Sequence, residues 1–161
     1  MKLTMSESKS MAVVDIDDTL LLGGRASRFF WYLSLLFQRM GRRLQRSNLT
    51  LLSQLQMYDK TVILSGRDVK EWRFTDDQLK RSGIKFDRLV CCPRKELIKN
   101  WKASVVQELS RGTETVWIDD IFEGSQDGPN LAFSPNVKIR PPIYRTATRV
   151  EVRQSSELEW L

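Results

Sequence analysis

Short apolar runs alternate along this chain with stretches in which apolar residues recur every three or four positions. The runs at 11–16, 61–65, 88–92, 115–119 and 137–140 predict β-strands, because short apolar segments bounded by polar residues suit strands buried on both faces. Leu97, Ile98, Trp101, Val105 and Leu109 keep helical spacing, as do Leu51, Leu52 and Leu55. This alternation predicts an α/β fold: a doubly wound, mainly parallel sheet with helices on both faces. The core is expected over residues 11–140, preceded by an N-terminal extension at 1–10 and followed by a peripheral tail at 141–161. The segments 19–61 and 75–83 have room for one or two helices but not for a large cap domain.

Charge and composition narrow the chemistry. The 161 residues include 26 Lys or Arg and 20 Asp or Glu, for a net charge of +6 and a pI near 9.5. That balance favours anionic partners such as nucleic acid, nucleotides or a lipid surface. There is no histidine, which removes histidine triads, histidine proton shuttles and most zinc sites. Cys91 and Cys92 are adjacent and have no second pair, so reduced, partly buried thiols in a cytoplasmic protein are expected. The first ten residues lack the apolar core of a signal peptide. The longest apolar run, 29–37, is interrupted by Ser34 and too short for a transmembrane segment.

In parallel sheets, ligands bind beyond the carboxyl ends of the strands, and there the chain concentrates its polar groups. The first run ends in Asp15-Ile16-Asp17-Asp18-Thr19. Like charges held together are costly unless a cation neutralises them. A hard divalent ion, most often magnesium, does so with oxygen ligands and can bridge to phosphate. A carboxylate held there can itself accept a phosphoryl group. The second run ends in Ser65-Gly66-Arg67-Asp68, a hydroxyl, a flexible backbone and a guanidinium suited to phosphate oxygens. The helix after the third run carries Trp101-Lys102, and the fourth run ends in Ile118-Asp119-Asp120, an acidic pair placed to ligate metal. Singly, each feature is explained by a helix cap, a turn or a solvated charge. Together, in this order, they point to metal-assisted phosphate chemistry.

The same order resembles the haloacid dehalogenase superfamily of phosphohydrolases. Asp15-x-Asp17-x-Thr19 is similar to its first motif, Ser65 to the second, Lys102 to the third, and Asp119-Asp120 to the fourth. Ile63-Leu64-Ser65-Gly66-Arg67, and a Trp-Lys ahead of Ile-Asp-Asp, further resemble the phosphatase domain of phage-type polynucleotide kinase/phosphatase. Ile121-Phe122-Glu123-Gly124 departs from that pattern, and the chain has no Gly-rich loop ending in Lys-Ser/Thr that would indicate a kinase domain. The resemblance implies a magnesium-dependent phosphomonoesterase. Asp15 would form an aspartyl-phosphate, and Asp17 would act as general acid and then base. Magnesium would be held by Asp15, the backbone carbonyl of Asp17, and Asp119 or Asp120. Thr19, Ser65, Gly66, Arg67 and Lys102 would bind the substrate.

The implied substrate is a phosphorylated RNA or DNA end, notably a 3′-phosphate. Nucleotides or other small phosphoesters are the alternative substrates. A non-catalytic nucleic-acid-binding module is the alternative from another class. Phosphoryl-accepting receiver domains also cluster Asp, a hydroxyl and Lys, but their acceptor sits mid-chain after an earlier acidic pair, the reverse of the order here. Residues 29–37 read as a helix apolar nearly all round, which packs centrally or contacts a partner or a second copy. Arg39, Arg42, Arg43 and Arg46 follow at helical spacing, and a helix continuing past Gly41 would align them as one basic stripe. Nucleic acid, a membrane surface and bulk water are all open readings for that stripe.

Overall fold

The structure is a computed structural model describing residues 10–23, 35–93, 98–120 and 135–142. Of the N-terminal extension at 1–10 only Ser10 is described, as the first residue of β1, and most of the apolar run 29–37 and the tail from residue 143 lie outside the described residues. In chain order the elements are β1 (Ser10–Val14), β2 (Leu21–Leu22), α1 (Leu35–Arg43), β3 (Arg46–Ser47), α2 (Leu49–Leu55) and β4 (Lys60–Asp68). After β4 come a 3-10 turn (Val69–Glu71), α3 (Trp72–Arg81), β5 (Arg88–Cys92), α4 (Ile98–Leu109), β6 (Glu114–Ile118) and β7 (Val137–Arg140).

Five strands form one sheet in the order β5-β4-β1-β6-β7, and every pairing in it is parallel. The chain builds outward from β1 through β4 to β5, then returns to the other side for β6 and β7. This is the doubly wound arrangement expected from the sequence. It makes β1, between β4 and β6, the point where strand order reverses and ligands characteristically bind.

The pleat sends alternate residues of β1 to opposite faces. Ala12 and Val14 join Ile63, Leu51 and Leu55 of α2, and Leu79 of α3. Met11 and Val13 join Val62, Leu64, Trp117, and Trp101 and Val106 of α4. Both faces are thus covered, which is why the strands read as nearly continuous apolar runs. Each fully buried aliphatic side chain contributes roughly 1.5–3 kcal/mol.

The strands at 88–92 and 137–140 coincide with expectation, and the others differ by one to three residues at their ends. The largest extension is β4, which continues to Asp68 through a bulge. Ser65 pairs with Cys91 and Asp68 with Cys92, so Gly66 and Arg67 are extra residues. A bulge re-aims the side chains that it carries. The helix α3 has no apolar periodicity because its buried residues are Thr75, Gln78 and Leu79, of which only the last is aliphatic. A two-residue antiparallel ladder, β2 with β3, also has no sequence signature. Beside it, buried Asn48 donates to the carbonyl of Thr19 (3.1 Å) and caps α2 by accepting from the Leu51 amide (3.2 Å), which anchors the loop after β1. Among the described residues, no helix is long and apolar enough to cross a membrane.

Candidate active site

The carboxyl ends of β1 and β6 bring Asp15 and Asp119 together, because their parent strands are hydrogen-bonded neighbours. The ladder continues into the site, with the Asp15 amide donating to the Ile118 carbonyl at 3.0 Å. From the face below, α4 raises Lys102 between them. Its Nζ lies 2.7 Å from Asp15 Oδ1 and 2.8 Å from Asp119 Oδ2, and all three side chains are buried. Trp117 Nε1 donates to the same Asp119 oxygen at 3.3 Å. Asp120 completes the group: carboxylate oxygens of Asp15, Asp119 and Asp120 lie within 4.8 Å of one another. Lys99, the alternative lysine on α4, is exposed.

Three carboxylates share one ammonium, so the cluster is under-neutralised. Burial pushes the Asp15 carboxyl up to about 8, with Lys102 opposing and Asp119 reinforcing the rise. Burial and the neighbouring Asp119 raise Asp120 to about 6. Burial also works against the Lys102 ammonium, but Asp15 and Asp119 outweigh it and raise its pKa. A set of hard oxygen donors with excess negative charge fits a divalent cation.

Asp17 faces a different environment. Arg67, aimed by the β4 bulge, grips its carboxylate with both arms: Nε to Oδ2 at 2.8 Å and Nη2 to Oδ1 at 2.6 Å. Gln45 Nε2 donates to the same Oδ1 at 2.9 Å. The guanidinium is held in turn by Gln78 Oε1 (2.7 Å) and Gln45 Oε1 (3.2 Å), with Thr75 Oγ1 at 3.5 Å. Burial alone would raise the Asp17 carboxyl, but the Arg67 fork, helped by Gln45 and Arg42, holds it below the usual range.

The other residues singled out from the sequence divide by what they touch. Ser65 is buried at the end of the apolar part of β4, and its Oγ accepts from the Arg67 amide at 3.2 Å. Gly66 meets Ile98 at the start of α4, where an added Cβ would lie 3.1 Å from Ile98 Cγ2. Thr19 is fully buried, and its hydroxyl accepts from the Asp120 amide at 3.2 Å, which ties the first acidic loop to the last. Asp18 has φ 57°, a left-handed value that turns the chain back toward β2. The cysteines remain thiols, and burial pushes Cys91 up to about 11.

The arginine stripe is not one face. Arg42 is buried with Nη1 2.7 Å from Glu71 Oε2, and Arg46 has left the helix for β3. Arg39 and Arg43 are exposed residues of α1, their guanidinium carbons 5.6 and 5.9 Å from the Phe74 ring centre. Sequence reasoning missed Gln45, Thr75 and Gln78 as supports of the Asp17–Arg67 pair. The only available signal was the i, i+3 spacing of Thr75 and Gln78, which acquires meaning once α3 is known to cover the sheet.

No protein-family model matches the chain, and no curated protein is similar to it. Among solved structures it is similar to a chain of the Pnkp1/Rnl/Hen1 RNA repair complex, with a TM-score of 0.54 and 17% identity. The match covers 71% of this chain and 37% of that one. At such low identity the likeness is one of fold: the α/β architecture described above recurs in part of an RNA repair assembly.

Proposed function

We propose that this chain is a magnesium-dependent phosphomonoesterase of the haloacid dehalogenase type, acting on phosphorylated ends of nucleic acid. The observation that carries this reading is the Lys102 ammonium bridging Asp15 and Asp119, beside Asp120, at the strand-order reversal. Residues drawn from three separate stretches of sequence converge there on a charge pattern suited to a phosphate and a hard cation.

Asp15 is the nucleophile. Its carboxylate oxygen bonds to phosphorus as the ester oxygen departs, and water then cleaves the acyl phosphate to release inorganic phosphate. Lys102 steers Asp15 and is placed to meet developing charge on phosphoryl oxygens. Asp17 supplies the proton to the leaving oxygen and takes one from the attacking water. The Arg67 fork favours the ionised form of Asp17, the base of the second half-reaction, and the proton that Asp17 takes from water there is the one it hands to the leaving oxygen of the next substrate. Arg67 therefore acts by positioning Asp17. A divalent cation held by Asp15, Asp119 and Asp120 would neutralise the excess carboxylate charge and that of the substrate. The fold shared with part of an RNA repair complex and the net charge of +6 both support a nucleic acid substrate.

The test is phosphate release from a 3′-phosphorylated oligonucleotide, with magnesium and with chelator, alongside an aryl phosphate. Magnesium-dependent release from the oligonucleotide is the expected result. Release from the aryl phosphate alone keeps the chemistry and rejects the substrate class, and no release from either rejects the reading.

A further inference from the structure

We infer that the cavity between α1 and α3 is a subsite for single-stranded nucleic acid leading to the phosphate, and that it reads backbone charge and base faces without reading base identity. The inference deepens the reading above and rests on it for its substrate class. The cavity measures about 380 Å³, large enough for a small ligand, and its lining includes Arg43, Gln45, Phe74, Gln78 and Arg81 together with one acid, Asp77. Its inner wall is the outer wall of the Asp17 site. Gln45 lies 2.9 Å from Asp17 Oδ1, and Gln78 lies 2.7 Å from Arg67. A strand occupying the cavity would therefore end beside the groups that handle its terminal phosphate.

Charge and shape both favour such a strand. Residues 35–47 and 69–82, which build the two sides, contain eight Lys or Arg against three Asp or Glu. Two of those acids are closely engaged, Glu71 with Arg42 and Asp76 with Lys80, each at 2.7 Å, and the third, Asp77 in the cavity wall, lies 3.7 Å from Arg81 in an exposed pair. Phe74 is half-buried, and the Arg39 and Arg43 guanidinium carbons lie 5.6 and 5.9 Å from its ring centre. Aromatic rings beside arginines stack any base while the cations follow the backbone.

The indifference to sequence follows from the hydrogen bonds of the two glutamines. Side-chain amides are groups that read base edges, but here they are turned inward. Gln45 donates to Asp17 and accepts from Arg67, and Gln78 accepts from Arg67 and donates to Gln45 and to the Arg42 carbonyl.

The test is a fluorescence anisotropy titration of the full chain with a labelled single-stranded oligonucleotide lacking a terminal phosphate, over a salt series. It compares the unaltered chain with Arg43→Gln/Arg81→Gln and with Phe74→Leu. Arg43 and the Arg81 side chain (77% exposed) are surface groups, and Phe74→Leu keeps an apolar side chain. The double variant should weaken binding at least about tenfold and lower the logarithmic salt slope by about 1.4, the value for two lost single-strand phosphate contacts. Phe74→Leu should weaken binding by about fivefold or more with the slope unchanged. Homopolymers of different bases should bind within about threefold of one another.

Equal affinity and slope in all three proteins overturns the subsite. So does failure of the unaltered chain to bind, or equally tight binding of polyglutamate, which would leave bases no part. Because no turnover is measured, an inactive protein that binds as described leaves the subsite standing. An active phosphatase whose oligonucleotide binding ignores these substitutions rejects the subsite alone.

Discussion

At the scale of single residues, Lys102 is one cation held between two buried carboxylates, and it is 4% exposed. Removing one partner of a buried ion pair leaves charge uncompensated, at a cost of about 3–5 kcal/mol. Lys102→Ala should therefore abolish turnover and lower the melting temperature of the metal-free protein, with added magnesium recovering part of the loss. The exposed Lys99→Ala should change neither, and paired melts and phosphate-release assays check both. Asp15→Asn should also abolish turnover, but with the fold retained, because it keeps a neutral side chain of the same shape beside Lys102. Residual turnover near the original rate in a folded Asp15→Asn protein would reject Asp15 as nucleophile. Arg67→Lys removes a two-armed grip that a lysine cannot reproduce. With less opposition to burial, Asp17 would hold its proton to higher pH. The alkaline limb of kcat should then move upward on a substrate whose leaving oxygen needs protonation, and an unmoved limb would reject Asp17 as the acid.

At the scale of elements, the site depends on how the start of α4 meets the bulge of β4. Ile98 packs on Gly66, and Lys102 lies one turn further along the same helix. A methyl group on Gly66 would come within 3.1 Å of Ile98, so the side chain or the helix start must shift by a few tenths of an ångström. Gly66→Ala is expected to cost stability by only about 1 kcal/mol. Its effect on kcat should be larger than that change in stability implies, because the helix also aims Lys102. Ile98→Ala in the same chain should restore activity, which a rate comparison of the single and double variants decides. The helix α3 makes the complementary point. Its polar buried face looks wrong for a sheet-covering helix until Thr75 and Gln78 are seen bonded to Arg67.

At the scale of the whole molecule, the acidic cluster should set the pH dependence of stability. Folding raises Asp15 from 3.8 to about 8 and Asp120 from 3.8 to about 6. In that window the folded state binds more protons than the unfolded state, so their contribution to stability falls as pH rises. Asp17 has the opposite sign. Its depressed pKa adds stability above 3.8, which is lost as pH falls through the folded value. The metal-free protein should thus lose melting temperature on this account between about pH 4 and pH 8. Magnesium should give its largest gain at the alkaline end of that range. A gain independent of pH, measured by calorimetry with magnesium and with chelator, would reject the three-carboxylate cation site.

The sequence by itself determined the parallel sheet, the placement of its strands to within a few residues, and the strand-end residues proposed to bear the chemistry. Strands buried on both faces must be apolar along their length, and that leaves a plain record in the order of residues. It did not reveal the partners of those residues. Asp17 and Arg67 are adjacent because β1 and β4 are neighbours and β4 bulges, while Gln45, Thr75 and Gln78 reach them from two helices. Nor did the arginine spacing reveal that Arg42 turns inward to Glu71 while Arg39 and Arg43 flank Phe74. Helical periodicity records which residues share a face, whereas the charge that a face presents depends on what the rest of the chain packs against it.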